Sequence, residues 1–166
     1  VGYLIDRTPS GQTYIEDCYS IGNAIATNGH ELKNGSFIGA LEGAEVKNSY
    51  SYSYFLNEID QSNSKPAASF VGLLMHQKTE DDTAITGSYA LDYGQNIFVG
   101  TGDKNDDQTI YYYPENSSHT IEIETLDMNN FADAHKFPDL DFASTWEIDP
   151  KVGRPTLQDN KESQAY

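Results

Sequence analysis

Residues 37–54 read FIGALEGAEVKNSYSYSY, which is an apolar phrase around Gly39 followed by a strict alternation of Ser and Tyr. From Ser49 to Tyr54 the alternation places three hydroxyl groups on one face of an extended chain and three aromatic rings on the other. A period of two residues is typical of a half-buried β-strand. The β-branched and aromatic residues around the glycine favour a strand there as well. This stretch therefore predicts an apolar strand followed by an amphipathic one.

The same order of parts returns along the chain. Apolar phrases alternate with tyrosine segments, and they are centred on Gly2, Tyr19, Gly39, Tyr50, Gly72, Tyr89, Gly100 and Tyr112. The glycines are 37, 33 and 28 residues apart, so the spacing is loose while the order is constant. Self-similarity at such a period predicts a repeat fold, in which extra residues leave as loops while the strands stay stacked. An edge or surface strand of an ordinary antiparallel sandwich is the alternative interpretation.

We therefore expect an all-β chain in which residues 1–125 form a short right-handed β-solenoid, similar to a β-helix, of about four degenerate rungs. From Leu126 the pattern changes. Asp127 is a candidate N-cap for one or two helical turns, because apolar residues follow at 128, 131, 132 and 134. Residues 126–157 are expected to form a small C-terminal cap of the same domain, with a short helix, over the open end of the solenoid. Residues 158–166 are expected to be a polar tail.

The charge of the chain argues against two classes of partner. It carries 26 Asp and Glu against 10 Lys and Arg, a formal net charge of −16. Such a chain repels phosphate backbones and anionic membranes, so nucleic-acid binding is not expected. Membrane insertion by this segment is not expected either, because no apolar run approaches the roughly 18 residues that a spanning helix needs. Twelve Tyr, seven Phe and one Trp supply too much aromatic area for a disordered chain.

Several phrases carry a family likeness. The segments Asp17-Cys18-Tyr19-Ser20-Ile21-Gly22-Asn23 and Asn48-Ser49-Tyr50-Ser51 resemble the trailing strand of the GLUG motif, a repeat of bacterial cell-surface proteins. Gly39-Ala40-Leu41-Glu42-Gly43 is similar to its glycine phrase, and the spacing of Phe142 and Trp146 is similar to the ending of such arrays. The copies at Gly72 and Gly100 depart from the motif, since the first lacks the second glycine and the second is compressed.

The resemblance implies a non-catalytic, adhesin-like β-solenoid module on a secreted or surface-attached protein, with an extracellular or cell-surface location. The chain begins at Val1 without a charged-then-apolar leader, so we expect a piece of a longer protein. Its partners would then be the neighbouring domains of that parent protein, which it spaces or presents, together with a host protein or a glycan.

Tyr52 and Tyr54 are the candidate ligand-binding residues. An exposed row of tyrosines offers a large contact area and a hydroxyl group at a low cost in conformational entropy, which suits recognition. The alternative is that the tyrosine rings stack on one another as ladders inside the solenoid. Exposure of both rings as one patch would favour binding.

Calcium is the one cofactor for which the sequence offers a candidate site. Asp103, Asn105, Asp106 and Asp107 place oxygen ligands close together, and calcium takes six to eight such oxygens. The cluster lacks the central glycine and the distant glutamate of a helix-loop-helix calcium loop. A solvated acidic turn is therefore the alternative interpretation.

The sequence shows no catalytic constellation. Its four histidines, His30, His76, His119 and His135, are scattered. Cys18 takes the place that Ser49 and Ser88 hold in later copies, which predicts a small inward-facing residue rather than a nucleophile. The alternative function is a fragment of a β-helical polysaccharide lyase or hydrolase. Hydrolysis would need two facing carboxylates roughly 5–10 Å apart, and Asp92 and Glu122 are the candidates.

Overall fold

The computed structural model describes residues 2–5, 13–26, 35–57, 70–75, 84–92, 99–102 and 120–160 of the 166-residue chain. These ranges hold twelve β-strands and two short 3-10 helices. The strands are β1 (Tyr3–Ile5), β2 (Tyr14–Glu16), β3 (Tyr19–Ala26), β4 (Ile38–Glu42), β5 (Glu45–Lys47), β6 (Tyr50–Asn57), β7 (Val71–Met75), β8 (Ala84–Leu91), β9 (Val99–Gly102), β10 (Thr120–Leu126), β11 (Trp146–Asp149) and β12 (Arg154–Leu157). The helices are Met128–Ala132 and Ala134–Lys136. The described part of the chain is all-β, which confirms the predicted class.

Two of the three sheets are parallel. The first runs in the order β1-β4-β7-β9. The second joins β2, β5, β8, β6 and β3 in that order, and β10 also pairs with β8. Strands β11 and β12 form a separate antiparallel pair. Every described pairing in the two larger sheets is parallel, so the antiparallel sandwich is wrong for these strands.

The chain alternates between the two parallel sheets as it advances. Each glycine strand joins the first sheet beside the glycine strand of the next copy, and each tyrosine strand joins the second sheet in the same way. The register places Tyr19 beside Tyr50 and Tyr50 beside Tyr89. The unequal spacing of these tyrosines along the chain is therefore absorbed between the strands, as expected of a repeat.

The fourth copy differs from the sequence prediction. The strand that follows β8 in the second sheet is β10, which places Glu124 beside Tyr89. Tyr112, which the repeat pattern assigns to this position, lies outside the described residues. Glu124 is exposed, so the row of tyrosine rings ends at Tyr89 in the described part of the chain.

Side chains from both parallel sheets form a first buried cluster, here called the inner cluster. Its buried members are Phe37, Ile38, Leu41, Ala44, Val46, Phe70, Val71, Ile85 and Ala90. The rings of Phe37 and Phe70, on successive copies, stack with their centroids 4.7 Å apart. All five residues of β4 are buried, as is typical of a strand in a parallel sheet that is covered on both faces.

A left-handed backbone corner precedes each described tyrosine strand segment. Asp17, Asn48 and Gly87 have φ angles of 50°, 49° and 54°. Only glycine adopts this conformation without strain, and Asn and Asp tolerate it better than other residues. The positive φ angle therefore explains why an Asp, Asn or Gly occupies the position two residues before each of these tyrosines.

The corner changes which face the following side chains occupy. Val46 and Tyr50 are four residues apart and would share one face of an uninterrupted strand. Val46 instead joins the inner cluster, whereas Tyr50 joins a second buried cluster. Ile85 and Tyr89 divide in the same way. The corners are in register with one another, and each one directs the tyrosine that follows it out of the inner cluster.

A ladder of side-chain hydrogen bonds joins the corners. The Ser49 hydroxyl donates to the Lys47 carbonyl (2.7 Å) and accepts from the Cys18 N–H (3.2 Å). The Ser88 hydroxyl donates to the Thr86 carbonyl (3.0 Å) and accepts from the Ser49 N–H (3.4 Å). These bonds satisfy backbone groups that the corner removes from the regular strand pattern.

Cys18 occupies the serine position of this ladder, as the sequence predicts. Its thiol donates to the Glu16 carbonyl at 3.2 Å, as the serines do to their own strands. Unlike Ser49 and Ser88, Cys18 is exposed, so the expected inward burial is not found. Partial desolvation and then the charge of Asp17 raise the pKa of the Cys18 thiol, which lowers its reactivity at neutral pH.

We expect Gly87→Ala to destabilise the protein more than Gly153→Ala does. Both glycines have positive φ angles, 54° and 65°, which cost about 1–2 kcal/mol for an L-residue. A Cβ at Gly87 would also lie 2.8 Å from Asn48 Oδ1 and 2.9 Å from Asp139 Cβ, whereas a Cβ at Gly153 meets nothing within 4 Å. Urea unfolding should give a loss of about 3 kcal/mol for Gly87→Ala. Equal losses for the two variants would contradict the packing at this corner.

Candidate functional site

Tyr19, Tyr50 and Tyr89 form a row across three neighbouring strand segments, here called the tyrosine row. The rings of Tyr19 and Tyr50 stack with centroids 5.3 Å apart and planes 8° from parallel. Tyr50 and Tyr89 are fully buried, and Tyr19 is half-buried. The stacking of Tyr19 on Tyr50 agrees with the interpretation in which the tyrosine rings stack on one another. The stack lies outside the inner cluster, however, and not between the two parallel sheets.

Residues 127–160, here called the C-terminal segment, cover the tyrosine row. Phe131, Phe137 and Trp146 are buried against it. The Trp146 ring lies 5.7 Å from Tyr50 and 5.9 Å from Tyr19, and the Phe137 ring meets Tyr89 edge-on at 4.8 Å. These tilted and edge-on contacts are the favoured geometry for aromatic pairs. We call this second buried cluster the outer cluster.

The C-terminal segment lies along the tyrosine row, and its predicted role as a cap over the end of a solenoid stays a prediction. Its described contacts run across the outer face of three successive strand segments, from Tyr19 to Tyr89. The predicted N-cap of the segment is confirmed, because the Asp127 carboxylate accepts from the N–H groups of Asn129 and Asn130. The helical turns that follow are 3-10 rather than α-helical.

Each hydroxyl group of the tyrosine row bonds to the C-terminal segment. Tyr89 donates to Asp139 Oδ2 at 2.7 Å and accepts from the Asp139 N–H at 3.1 Å. Tyr50 donates to the Pro155 carbonyl, and Tyr19 accepts from the Asn160 amide. Burial raises the pKa of Tyr89, so this hydroxyl stays protonated and remains a donor at physiological pH.

A further bond ties the C-terminal segment to the first corner. The indole N–H of Trp146 donates to Asp17 Oδ1 at 3.1 Å. Asp17 thus serves both as the left-handed corner residue and as the acceptor for a buried indole. A glycine at this position would provide the backbone conformation but would leave the indole N–H without this partner.

The two predicted ligand-binding tyrosines are not seen together as an exposed patch. The Tyr52 ring is half-buried, meets Phe131 edge-on at 4.8 Å and lies 5.6 Å beneath the Arg154 guanidinium. Tyr54 lies in β6, and its side chain is outside the described residues. The C-terminal segment therefore covers part of the predicted surface.

The predicted calcium ligands Asp103, Asn105, Asp106 and Asp107 lie outside the described residues, so this site stays a prediction. Within the described ranges, no group of three or more His, Cys, Asp or Glu side chains is placed to hold a metal ion. Of the carboxylates considered for hydrolysis, Asp92 is exposed directly after β8, and Glu122 lies in β10.

One exposed aromatic residue was not singled out by the sequence. Tyr14 lies on β2, with its neighbour Ile15 packed against the inner cluster. In register with β2 lies β5, which places Glu45 beside Tyr14 and Lys47 beside Glu16. The alternation of burial along both strands places these four side chains on the outer face. The alternation of Tyr14, Ile15 and Glu16 could have indicated that Tyr14 is exposed. Tyr14 was passed over because the repeat pattern in this part of the chain is centred on Tyr19.

Lys47 is held among acidic groups on this face. Its ammonium forms an ion pair with the Glu45 carboxylate. The hydrogen bond to Glu45 raises the pKa of Lys47, and the charges of Glu45 and Glu16 act in the same direction. Lys47 therefore remains a cation over the physiological pH range.

We compared the chain with protein families, curated proteins and solved structures. No family model, no curated protein and no solved structure matches the chain. In the part of the chain that the structure describes, no helix has the length and apolar character needed to cross a membrane.

We expect Tyr50→Phe to destabilise the protein by about 1–3 kcal/mol, because it leaves the carbonyl of buried Pro155 without its donor. Tyr14→Phe is the matched control, since an exposed hydroxyl can be lost to water at a cost below about 0.5 kcal/mol. The fluorescence of Trp146, the single tryptophan, reports the unfolding of the outer cluster directly. Equal stability of the two variants would contradict the bond between Tyr50 and the C-terminal segment.

Proposed function

We propose that this chain is a short right-handed β-solenoid module of a bacterial secreted or surface-attached protein. In this role it spaces or presents a neighbouring domain and binds a host protein or a glycan, without catalysis. The observation that carries the proposal is the sequential parallel pairing of equivalent strands in two sheets. Parallel neighbours need a crossover between them, and a coiling chain supplies it by visiting the other sheet.

The ladder of corner residues supports a spacer role. Each copy bonds to the next through the backbone and through a buried hydroxyl, as Ser49 does with Cys18 and Ser88 with Ser49. In a stacked repeat such nearest-neighbour contacts determine stability, so the module resists bending between copies. The C-terminal segment adds contacts that run across three copies at once.

The strongly negative net charge of the chain favours a role at the cell surface and argues against binding to nucleic acid inside the cell. A formal charge of −16 keeps the chain dispersed and repels polyanions. The likeness to GLUG repeats supports the same location. Binding through Tyr52 and Tyr54, and calcium binding at Asp103, Asn105, Asp106 and Asp107, remain parts of this proposal that experiment must test.

Single-molecule energy transfer between dyes on two domains fused to the ends of the chain tests the spacer role. A flexible Gly/Ser linker of the same 166 residues has a root-mean-square length of about 70 Å and a broad distance distribution. We expect the module to give one narrow distribution at a shorter distance. A distribution as broad as that of the linker would refute the spacer role.

A glycan array probed with the fluorescently labelled chain, in calcium and in a chelator, tests the adhesive role. We expect specific binding to a subset of glycans. Signals that vanish in the chelator and with Asp106→Asn would place calcium at the acidic cluster, because calcium sites depend on carboxylate ligands. Equal binding in both conditions would exclude a calcium requirement, and no glycan binding would remove glycans from the proposed ligands.

A further inference from the structure

Tyr14 stands apart from the other tyrosines that the structure describes. Three large apolar side chains are exposed in the described residues: Tyr14 at 60%, Met128 at 48% and Ile21 at 40%. Tyr14 is the aromatic member of this set. Its backbone is fixed by pairing between β2 and β5 and by the packing of Ile15 on the inner cluster, so the ring is presented from a rigid strand.

Polar groups of both kinds surround this ring. Adjacent strands lie about 4.8 Å apart and alternate residues about 6.7 Å apart, so the backbone places Glu45 beside Tyr14, Glu16 about 6.7 Å along the strand and Lys47 about 8 Å away on the diagonal, all on the same face. The carboxylates are acceptors, and the Lys47 ammonium is a donor. The ion pair of Lys47 and Glu45 is exposed and contributes little to stability, so folding alone does not require this arrangement.

We infer that Tyr14, Glu16, Glu45 and Lys47 form a glycan-binding platform for a neutral hexopyranose or an amino sugar. The flat C–H face of the sugar ring would lie against the Tyr14 ring, which supplies apolar contact area with a polar edge. Sugar hydroxyls both donate and accept, so they match the carboxylates and the ammonium beside the ring. This inference rests on the adhesive part of the proposed function and names its site.

The charge of the platform selects among sugars. Two carboxylates and one ammonium leave the patch negative, and the whole chain carries a charge of −16. Uronic and sialic acids are therefore repelled, whereas neutral hexoses and protonated amino sugars are not. A single exposed ring on an open sheet encloses little of its ligand, so we expect millimolar affinity for one site. Several copies displayed together would strengthen binding through avidity.

The test uses the full chain, biotinylated and displayed on streptavidin beads, on an array of neutral, amino-sugar and acidic glycans. Tyr14→Ala should reduce binding at least tenfold, and Tyr14→Phe, which keeps the ring, should stay within threefold. Lys47→Ala should reduce binding three- to tenfold while leaving the ring in place. Met128→Ala, which removes another exposed apolar side chain, is the control and should bind as the parent chain does.

The outcomes separate the site from the function. Glycan binding that survives both Tyr14→Ala and Lys47→Ala overturns this site and leaves the adhesive role standing. Binding confined to acidic glycans overturns the sugar class. A parent chain that binds no glycan at all overturns the inference and the glycan part of the adhesive role, whereas the spacer role is decided by the energy-transfer experiment. Thermal unfolding midpoints of the four variants should match that of the parent chain, since the three substituted side chains lie outside both clusters.

Discussion

The positive φ angle before each tyrosine strand segment is the constraint on which the rest of the structure depends. It occurs at Asp17, Asn48 and Gly87, and at each place it reverses the alternation of side chains along the strand. Residues before the corner, such as Val46, fill the inner cluster, whereas the tyrosine after it points to the outer cluster. The second sheet thereby contributes side chains to both buried clusters. Small serine side chains, such as Ser51 and Ser88, are buried next to the tyrosines in its strands. A strand without the corner would send Tyr50 into the interior between the sheets.

The outer cluster forms because the corners direct the tyrosine row away from the inner cluster and the C-terminal segment packs over the rings. The C-terminal segment has two short 3-10 helices, one short strand pair and a series of turns closed by its own backbone hydrogen bonds. Its buried anchors are aromatic, and aromatic pairs add about 0.5–1.5 kcal/mol each beyond the area that they bury. The hydroxyl bonds of the tyrosine row fix where the segment lies. The row is thus the surface on which the C-terminal segment packs.

The sequence predicted those features that depend on period and order. The all-β class and the register of Tyr19, Tyr50 and Tyr89 followed from the alternation and the repeated phrase, and the N-cap at Asp127 followed from its local pattern. The division into two clusters could not be predicted, because it depends on the sign of one dihedral angle that Asp and Asn adopt in either region. The surroundings of Tyr14 were harder still. Alternation along β2 indicates that Tyr14 and Ile15 occupy opposite faces, whereas the neighbours Glu45 and Lys47 come from pairing with β5, a long-range contact that no local pattern of residues encodes.

The nuclear Overhauser spectrum of the Tyr50 ring tests the central claim most directly. If the corner at Asn48 turns this ring outwards, its protons should show cross-peaks to the rings of Tyr19, Phe131 and Trp146, whose centroids lie 5.3–5.7 Å away. Cross-peaks from Tyr50 to Val46 and Phe37, with none to Trp146, would show that the ring enters the inner cluster. That result would contradict the two-core account of the fold.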